Sequence, residues 1–596
     1  MGACVQLTFD PRAPRAALVV NPLVKMSTSD PPRQRPAAVV VNSLVNAGVK
    51  LVFGIPGAKV DPLFNELTDH PDIKLVVCRH EQNAGFIAAA IGRLTGRPGV
   101  CVVTSGPGGT NLTTALATAN TEGDPVVALV GSVPRKMSLV KTHQSLNVME
   151  VLKPIVKKTS SIQHEDQVAE ELLNAFRMAT SHPQGVTAVD LPLDIMSSKQ
   201  PTTGPFDSRS FNAPLQGPAP QTSVIGLAKM IDEAKLPVFL LGMRASDPKV
   251  TAALHQFLRK HPIPVLETFQ AAGCVSRELL HLFYGRLGLF RNQPGDKLLG
   301  HSDLVIAVGY DPTEYDPPMW NPTGKLNIVH LDVKACDWGL NYQPCLELVG
   351  SVEETLLRLT EQAEQIPLDG SINDLCKSIS HEFYAWKDTK DVRPSNPSNP
   401  LVHPLHFIST LQSLVSDDTV VCCDIGTVYI YMSRYFFSYL PRHFLVSNGQ
   451  QTLGVALPWA IAASLIQHPT DPSKRKKVIS ISGDGGFMFT SQELSTAVQQ
   501  GCDITHFIWN DSKYNMVAIQ EEAKYGRESG VDLGGVDFVK FAEAFDAKGW
   551  KVHQAGDLEK VMKTALAYTG VSVVEVPIDY SHNADLMAHV ISDDVN

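Results

Sequence analysis

Short, nearly continuous apolar runs recur along the chain. Each ends in a glycine-rich turn and is followed by a stretch of helical length. Runs that are apolar on both faces read as strands of parallel sheets, because crossover helices then cover both sides. Between 36 and 197 this predicts strands at 51–53, 73–78, 100–104, 126–130 and 186–191, and helices at 39–47, 86–94 and 111–119. Residues 198–223 shift to Pro, Ser, Thr, Gly and Gln and read as a linker. A central α/β block at 224–365 has strands at 237–241, 304–308 and 328–332. A connecting helix and a Pro/Asn/Ser linker occupy 366–400. A third block, 401–596, has strands at 477–482 and 504–509 and a helix at 490–500. Residues 1–35 show no period and read as a flexible arm. The expected fold class is α/β, with three doubly wound parallel-sheet domains.

Strands 100–104 and 477–482 run into similar turns, Ser105-Gly106-Pro107-Gly108 and Ser482-Gly483-Asp484-Gly485. This coarse echo fits two sheets of one kind flanking a third. None of the glycine turns is a Walker A loop or a G-x-G-x-x-G fingerprint.

Composition narrows the function classes. At 596 residues the chain exceeds what one core can serve. Acidic residues number 61 against 51 basic, with no basic block, which argues against nucleic acid or an anionic membrane as partner. No apolar run approaches the roughly 20 residues of a membrane span. Ten scattered Cys without a C-x-x-C suit a reducing compartment, and the expected location is cytoplasmic. A mitochondrial location follows if the arm is a transit peptide. The arm opens Met1-Gly2-Ala3-Cys4, but Gln6 stands where myristoylation wants Ser or Thr. Met26 offers an alternative start.

The candidate chemistry sits in the third block. Strand 477–482 ends in Gly483-Asp484-Gly485-Gly486, and strand 504–509 ends in Asn510-Asp511-Ser512. Asp484 and Asp511 are expected on loops at the sheet edge where open α/β folds bind ligands. Two hard oxygen ligands there suit Mg²⁺ or Ca²⁺ carrying a phosphorylated cofactor. The glycines let backbone N–H groups approach a pyrophosphate. Asp and Gly are also common turn residues, so the residues alone leave two plain turns as the alternative.

The spacing from Asp484 to Asp511 resembles the thiamine diphosphate (ThDP) binding motif, GDG followed by Asn/Asp about 27 residues on. That motif usually ends in a double Asn; here Asp511 holds the ligand position and Asn510 precedes it. The resemblance implies Asp484, Asp511 and the backbone carbonyl of Lys513 as Mg²⁺ ligands. It implies cofactor contacts from Gly483, Gly485, Gly486, Tyr514, Asn515 and Met516. In the first block Arg79-His80-Glu81-Gln82-Asn83-Ala84 matches the family's cofactor-activating glutamate, Glu81. A Glu on the pyrimidine ring lets the cofactor act as its own general base. Taken alone, Glu81 reads equally as a first-turn helix carboxylate. Asn448-Gly449-Gln450-Gln451-Thr452-Leu453-Gly454 matches the segment that holds the cofactor bent. Leu453 then wedges between the two rings, and the Gln451 carbonyl accepts from the 4′-amino group. Core packing is the plain reading of Leu453. Gln144 matches an active-site Gln near the substrate.

From residue 39 to 579 the chain is similar to the acetolactate synthase group, and three features favour its catabolic, FAD-independent branch. Gly54-Ile55-Pro56-Gly57-Ala58-Lys59 resembles that branch, including its Lys, which implies Lys59 near the substrate carboxylate. The R-F-D-D-R-type stretch of FAD-binding relatives is absent from the central block. Gln520 stands where the biosynthetic form has Trp. The resemblance implies condensation of two pyruvates to 2-acetolactate and CO₂ through a ThDP hydroxyethyl enamine. It also implies a homodimer or homotetramer with shared active sites, and no FAD. Another ThDP-dependent 2-oxo acid decarboxylase, a carboligase or a pyruvate oxidase is the alternative. A catalytically dead binding protein is a third reading; intact Glu81 and Asp484 weigh against it.

Overall fold

The computed structural model describes residues 34–364, 370–394, 396–468, 471 and 475–588. The arm expected at 1–35, including positions 1–4 and 26, lies outside these residues except for its last two. Of those, Gln34 pairs antiparallel with Thr202.

Three six-stranded sheets carry the chain, and every strand pair within them is parallel. The first runs, in space, Lys74–Val77, Leu51–Gly54, Gly99–Val103, Val126–Ser132, Val186–Pro192 and Lys158–Ser161. The third runs Phe444–Leu445, Val421–Cys423, Val478–Gly483, Ile504–Asn510, Val571–Pro577 and Lys548–Lys551. Numbered by appearance within each unit, both orders are 2-1-3-4-6-5. The two echoing turns therefore follow the same strand, the third, of two sheets with one topology.

The central sheet differs. Its spatial order is Leu346–Val349, Ile328–Asp332, Leu304–Val308, Pro237–Leu241, Val265–Thr268 and Phe283–Leu287. Chain order reverses between Leu304–Val308 and Pro237–Leu241, a switch point of the kind that opens a ligand crevice in doubly wound sheets.

Several expected elements change. The first sheet has a sixth strand, Lys158–Ser161, at its edge. Its sequence Lys-Thr-Ser-Ser contains no apolar residue, so hydrophobic patterning is blind to it. The helix expected at 86–94 is Glu81–Thr95. His80 caps it by accepting from the Gln82 N–H, and Glu81 opens it, where a carboxylate suits the helix dipole. Gly96 at φ 69° ends it in the left-handed conformation that glycine adopts freely. The stretch 111–119 lies in two helices, Pro107–Asn111 and Thr113–Thr121. The helix expected at 490–500 is a 3₁₀ turn, Ser491–Glu493, followed by Leu494–Gln499. The central unit's first helix begins at Gln221, inside the expected linker. The connecting helix is Gly370–Tyr384.

First and third units share one apolar core. The Ala-rich helix Glu81–Thr95 meets Ala456–Gln467, which is buried over nearly its whole length. Within the first unit the same helix packs closely on Thr113–Thr121: a Cβ on Gly85 would lie 2.6 Å from the Ala115 Cβ. A buried ionic cluster ties in the central unit. Arg93 bonds Glu122, Asp124 and the Val446 carbonyl, while Gln270 of the central unit donates to Glu122 at 3.1 Å. Among the described residues no helix is long and apolar enough to cross a membrane.

Candidate active site

The first sheet's C-terminal edge gathers one group of candidates. Glu81 stands at the mouth of its helix, and Asn111 Nδ2 donates to its Oε2 at 2.9 Å. The turn Gly106-Pro107-Gly108 lies alongside; a Cβ on Gly108 would sit 3.6 Å from Glu81 Oε1. Gly106, at φ 63°, backs onto Gln144, whose Cβ would be 3.1 Å from an added Cβ. Gln144 itself has φ 59° and is exposed. Lys59 lies on the loop after Leu51–Gly54, half-buried, and among the described residues no carboxylate pairs with it. That loop packs on the same edge, since a Cβ on Gly57 would fall 2.6 Å from the Thr104 side chain.

The third sheet's edge gathers the other group. Asp484 does not lie on a loop, as expected, but is the first residue of a short helix, Asp484–Met488. The strand's last residue, Gly483, is its N-cap, so the turn and the helix overlap. Asp484 is buried and accepts from the Gly485 N–H at 2.8 Å. Burial pushes its carboxyl up. Asp511 is pushed up to about 6, first by burial and then by the charge of Asp484. Asn510 is committed elsewhere, donating to Glu575 at 2.9 Å and accepting from the Ser512 N–H at 3.1 Å. The Lys513 ammonium bonds Glu528 and lies 3.6 Å from Asp532, so it does not neutralise the pair. Two carboxylates thus interact, and among the described residues no cationic side chain pairs with either. Beside a glycine turn, that donor set fits a hard divalent cation carrying a diphosphate. Asn515 donates to Asp511 at 2.7 Å and accepts from Asn583 at 2.6 Å. Tyr514 covers Gly485, where an added Cβ would lie 2.5 Å from its ring. Met516 packs against the core, while Gln520 is exposed on the helix Asn515–Tyr525.

All three units hold segment 446–454. Arg93 takes the Val446 carbonyl, and Ser447 donates to Glu122. Asn448 donates to the Glu314 carbonyl of the central unit and accepts from Tyr429. Gln450 donates to Thr121 at 2.9 Å, and the Thr452 and Thr118 hydroxyls bond at 2.8 Å. Gln451 is exposed with φ 48°. Leu453 is half-exposed and joins none of the apolar clusters.

Several residues in this neighbourhood gave no sequence signal. Buried Glu493 accepts from the N–H groups of Arg79 (2.7 Å) and His80 (3.2 Å) and from Asn83 (3.0 Å), pinning the start of the Glu81 helix to the third unit. Asn111, Glu122 and Glu314 are equally invisible to motif reading. Asp424, in Cys423-Asp424-Ile425-Gly426, did carry one: it follows a buried strand and precedes a glycine, as Asp484 does. Among the described residues no hydrogen bond or ion pair joins the Glu81 group to the Asp484 group.

Two like-folded units, one of them with a carboxylate pair beside a glycine turn, suit an enzyme that uses a diphosphate cofactor, and sequence comparison gives the class. The thiamine pyrophosphate enzyme family matches in three parts: its N-terminal TPP binding domain over 35–151, its central domain over 224–359 and its C-terminal TPP binding domain over 424–576. The chain belongs to this family. It is 44% identical over 555 residues to an acetolactate synthase of Bacillus subtilis (strain 168), covering 93% of this chain and 95% of that protein. It is 42% identical to a catabolic acetolactate synthase of Raoultella terrigena, covering 93% and 97%. To the large subunit of acetolactate synthase isozyme 1 of Escherichia coli (strain K12) it is 28% identical.

Proposed function

We propose that this chain is an acetolactate synthase of the catabolic kind, condensing two pyruvate molecules to 2-acetolactate and CO₂. The observation that carries the reading is the pair Asp484–Asp511 at the glycine turn, within a chain similar over 93% of its length to such enzymes. Asp484, Asp511 and the Lys513 carbonyl would hold Mg²⁺, and the N–H groups of the 483–486 turn would meet the diphosphate. The engagement of Asn510 with Glu575 and Ser512 supports Asp511 as the ligand. Tyr514, Asn515 and Met516 would line the anchored end. Bound ThDP supplies a carbanion at its thiazolium C2 and accepts the electron pair left when CO₂ departs.

Glu81, steadied by Asn111, would hold the proton at the pyrimidine ring nitrogen. The Gln451 carbonyl would accept from the amino group, and the half-exposed Leu453 would wedge the cofactor into its bend. Gln144 would contact substrate from beside Gly106, Lys59 would meet the carboxylate, and Gln520 would border the acceptor. In the family the first unit of one chain faces the third unit of another, so a second copy would complete each site, giving a homodimer or homotetramer.

FAD is not expected. The chain's own Glu314 stands in the central crevice, its carboxyl accepting from the N–H groups of Met243 (2.8 Å) and Asp311 (2.9 Å) and from Thr268 (2.5 Å). These donors sit at the C-terminal ends of the three strands where a nucleotide would lie.

Carbon balance from pyruvate alone tests the reading. Acetolactate and CO₂ in a 1:1 ratio, dependent on ThDP and Mg²⁺ and independent of added FAD, is the expected outcome. Acetaldehyde or acetate as the main product would replace it with a decarboxylase or an oxidase.

A further inference from the structure

Asp424 follows the strand Val421–Cys423 and is 1% exposed. Its own N–H bonds the Ile481 carbonyl at 2.8 Å, fixing it to the strand that leads into the 483–486 turn. Its carboxyl receives the N–H of Ile425 at 2.8 Å and that of Gly454 at 2.8 and 3.1 Å on its two oxygens. An added Cβ on Gly486 would lie 2.9 Å from Asp424 Oδ2, so the carboxyl also backs the glycine turn.

Gly454 is pinned a second time. Its carbonyl accepts from Thr490 Oγ1 at 2.8 Å. With φ 89°, and with Phe489 Cβ 2.7 Å from where its own Cβ would be, it has no room for a side chain. Asp424 and Thr490 thus hold the N–H and the C=O of one residue, from the two sides of the 483–490 turn. The residue just before it is Leu453.

We infer that Asp424 is a positioning residue that locks the diphosphate turn at 483–486 to the wedge segment ending at Leu453–Gly454. It touches no reacting atom. Through Gly454 it would set the spacing between Leu453 and the 483–486 turn when the cofactor binds. The inference rests on the cofactor reading above. The surroundings call for a carboxyl group with two acceptor oxygens, because the N–H groups of Ile425 and Gly454 reach both of them. In Asp424→Asn an amide NH₂ would face an N–H donor. Burial among neutral donors, which pushes the group up to about 7, agrees with this placement.

The test uses the full-length protein with Asp424→Asn, Thr490→Val and Thr490→Ser. Three readouts are taken: affinity for ThDP at saturating Mg²⁺, the H/D exchange rate at C2 of bound ThDP, and amide exchange of the peptide spanning 448–457 without cofactor. Losing one buried hydrogen bond is worth about a tenfold effect or more. Asp424→Asn should therefore slow C2 exchange about tenfold or more, bind ThDP within about fivefold of wild type, and exchange the 448–457 amides faster. Thr490→Val should move in the same direction, and Thr490→Ser, which keeps the hydroxyl, should restore wild-type values. Equal losses in affinity and C2 exchange would make Asp424 a general stabiliser and overturn the inference. So would unchanged C2 exchange with unchanged amide protection. If Asp424→Asn fails to fold, identical behaviour of the Thr490 variants would overturn it. A wild-type chain that neither binds ThDP nor exchanges C2 would sink the cofactor reading, whereas the amide-exchange comparison stands without cofactor.

Discussion

Glu314 shows how one buried side chain can set the pH response of the fold. It is 2% exposed, and burial pushes its carboxyl up to about 8. Between about pH 4.5 and 8 the folded chain keeps a proton that the unfolded chain has released. The stabilisation is therefore complete below the unfolded value and is lost as pH rises through the folded one, by up to roughly 5 kcal/mol. Glu314→Gln cannot titrate, so its thermal midpoint should fall less than that of wild type between pH 5 and 9. Parallel curves would show that Glu314 is not the titrating group. Asp484→Ala removes a proposed metal ligand and should abolish ThDP retention, whereas Glu81→Gln should retain ThDP and lose C2 deprotonation. C2 exchange at the wild-type rate in the Glu81 variant would end that assignment. Gln520 offers an amide where the biosynthetic form has an apolar Trp face. One methylene against such a face is worth about 1–3 kcal/mol, or roughly 10–200-fold. Pyruvate should therefore compete at least equally with 2-oxobutyrate as acceptor, and Gln520→Trp should shift the product ratio toward acetohydroxybutyrate. A strong excess of acetohydroxybutyrate from the wild-type chain would refute both the role of Gln520 and the catabolic reading.

At the scale of elements, the glycine turn depends on what covers it. Tyr514 lies over Gly485, so a methyl group there meets the ring at 2.5 Å. Overpacking of this kind costs about 1–3 kcal/mol. Gly485→Ala should thus weaken ThDP–Mg²⁺ binding about 5- to 150-fold, measured by titration of the cofactor-free protein, and Tyr514→Ala in the same chain should recover part of the loss. No recovery would mean that the glycine is needed for backbone approach alone. Beneath the turn, the ring of His506 bridges Ser480 and Ser482 at 2.8 Å each and packs on Phe487. Burial lowers its pKa to about 3, so it stays neutral there and holds the strands that deliver Asp484 and Asp511 in register.

At the scale of the molecule, two sheets of identical strand order present their ligand edges, yet no bond joins Glu81 to Asp484 within one chain. The homo-oligomer proposed above would supply the facing half of each site from a second copy. Inactive Glu81→Gln chains mixed with inactive Asp484→Ala chains, under conditions of subunit exchange, should regain part of the activity. Hybrids shown to form but remaining inactive would count against a shared site. The ionic cluster of Arg93, Glu122 and Asp124 meets the central unit at Gln270, where it also receives Ser447. All three units therefore set the position of the segment carrying Gln451 and Leu453.

The sequence by itself determined what depends on local order. Apolar runs long enough to be buried on both faces marked the strands 237–241, 304–308 and 328–332 to the residue. Glycine turns after such runs marked the edges where ligands bind, and the spacing from Asp484 to Asp511 marked the cofactor. Patterning could not see Lys158–Ser161, a polar edge strand whose partner is its only reason to be extended. Nor could it see that Asp484 opens a helix, because five residues are too few to show a period. Only the tertiary structure decided that Asn510 turns to Glu575 while Asp511 faces Asp484, since adjacent strand-end residues point to opposite sides and the sequence does not say which side holds the site. It alone brought Glu493 to the Glu81 helix, Glu314 into the central crevice and Asp424 to Gly454. Those contacts join residues 30 to 414 positions apart, and a buried carboxyl becomes informative only when the N–H groups it must satisfy are known.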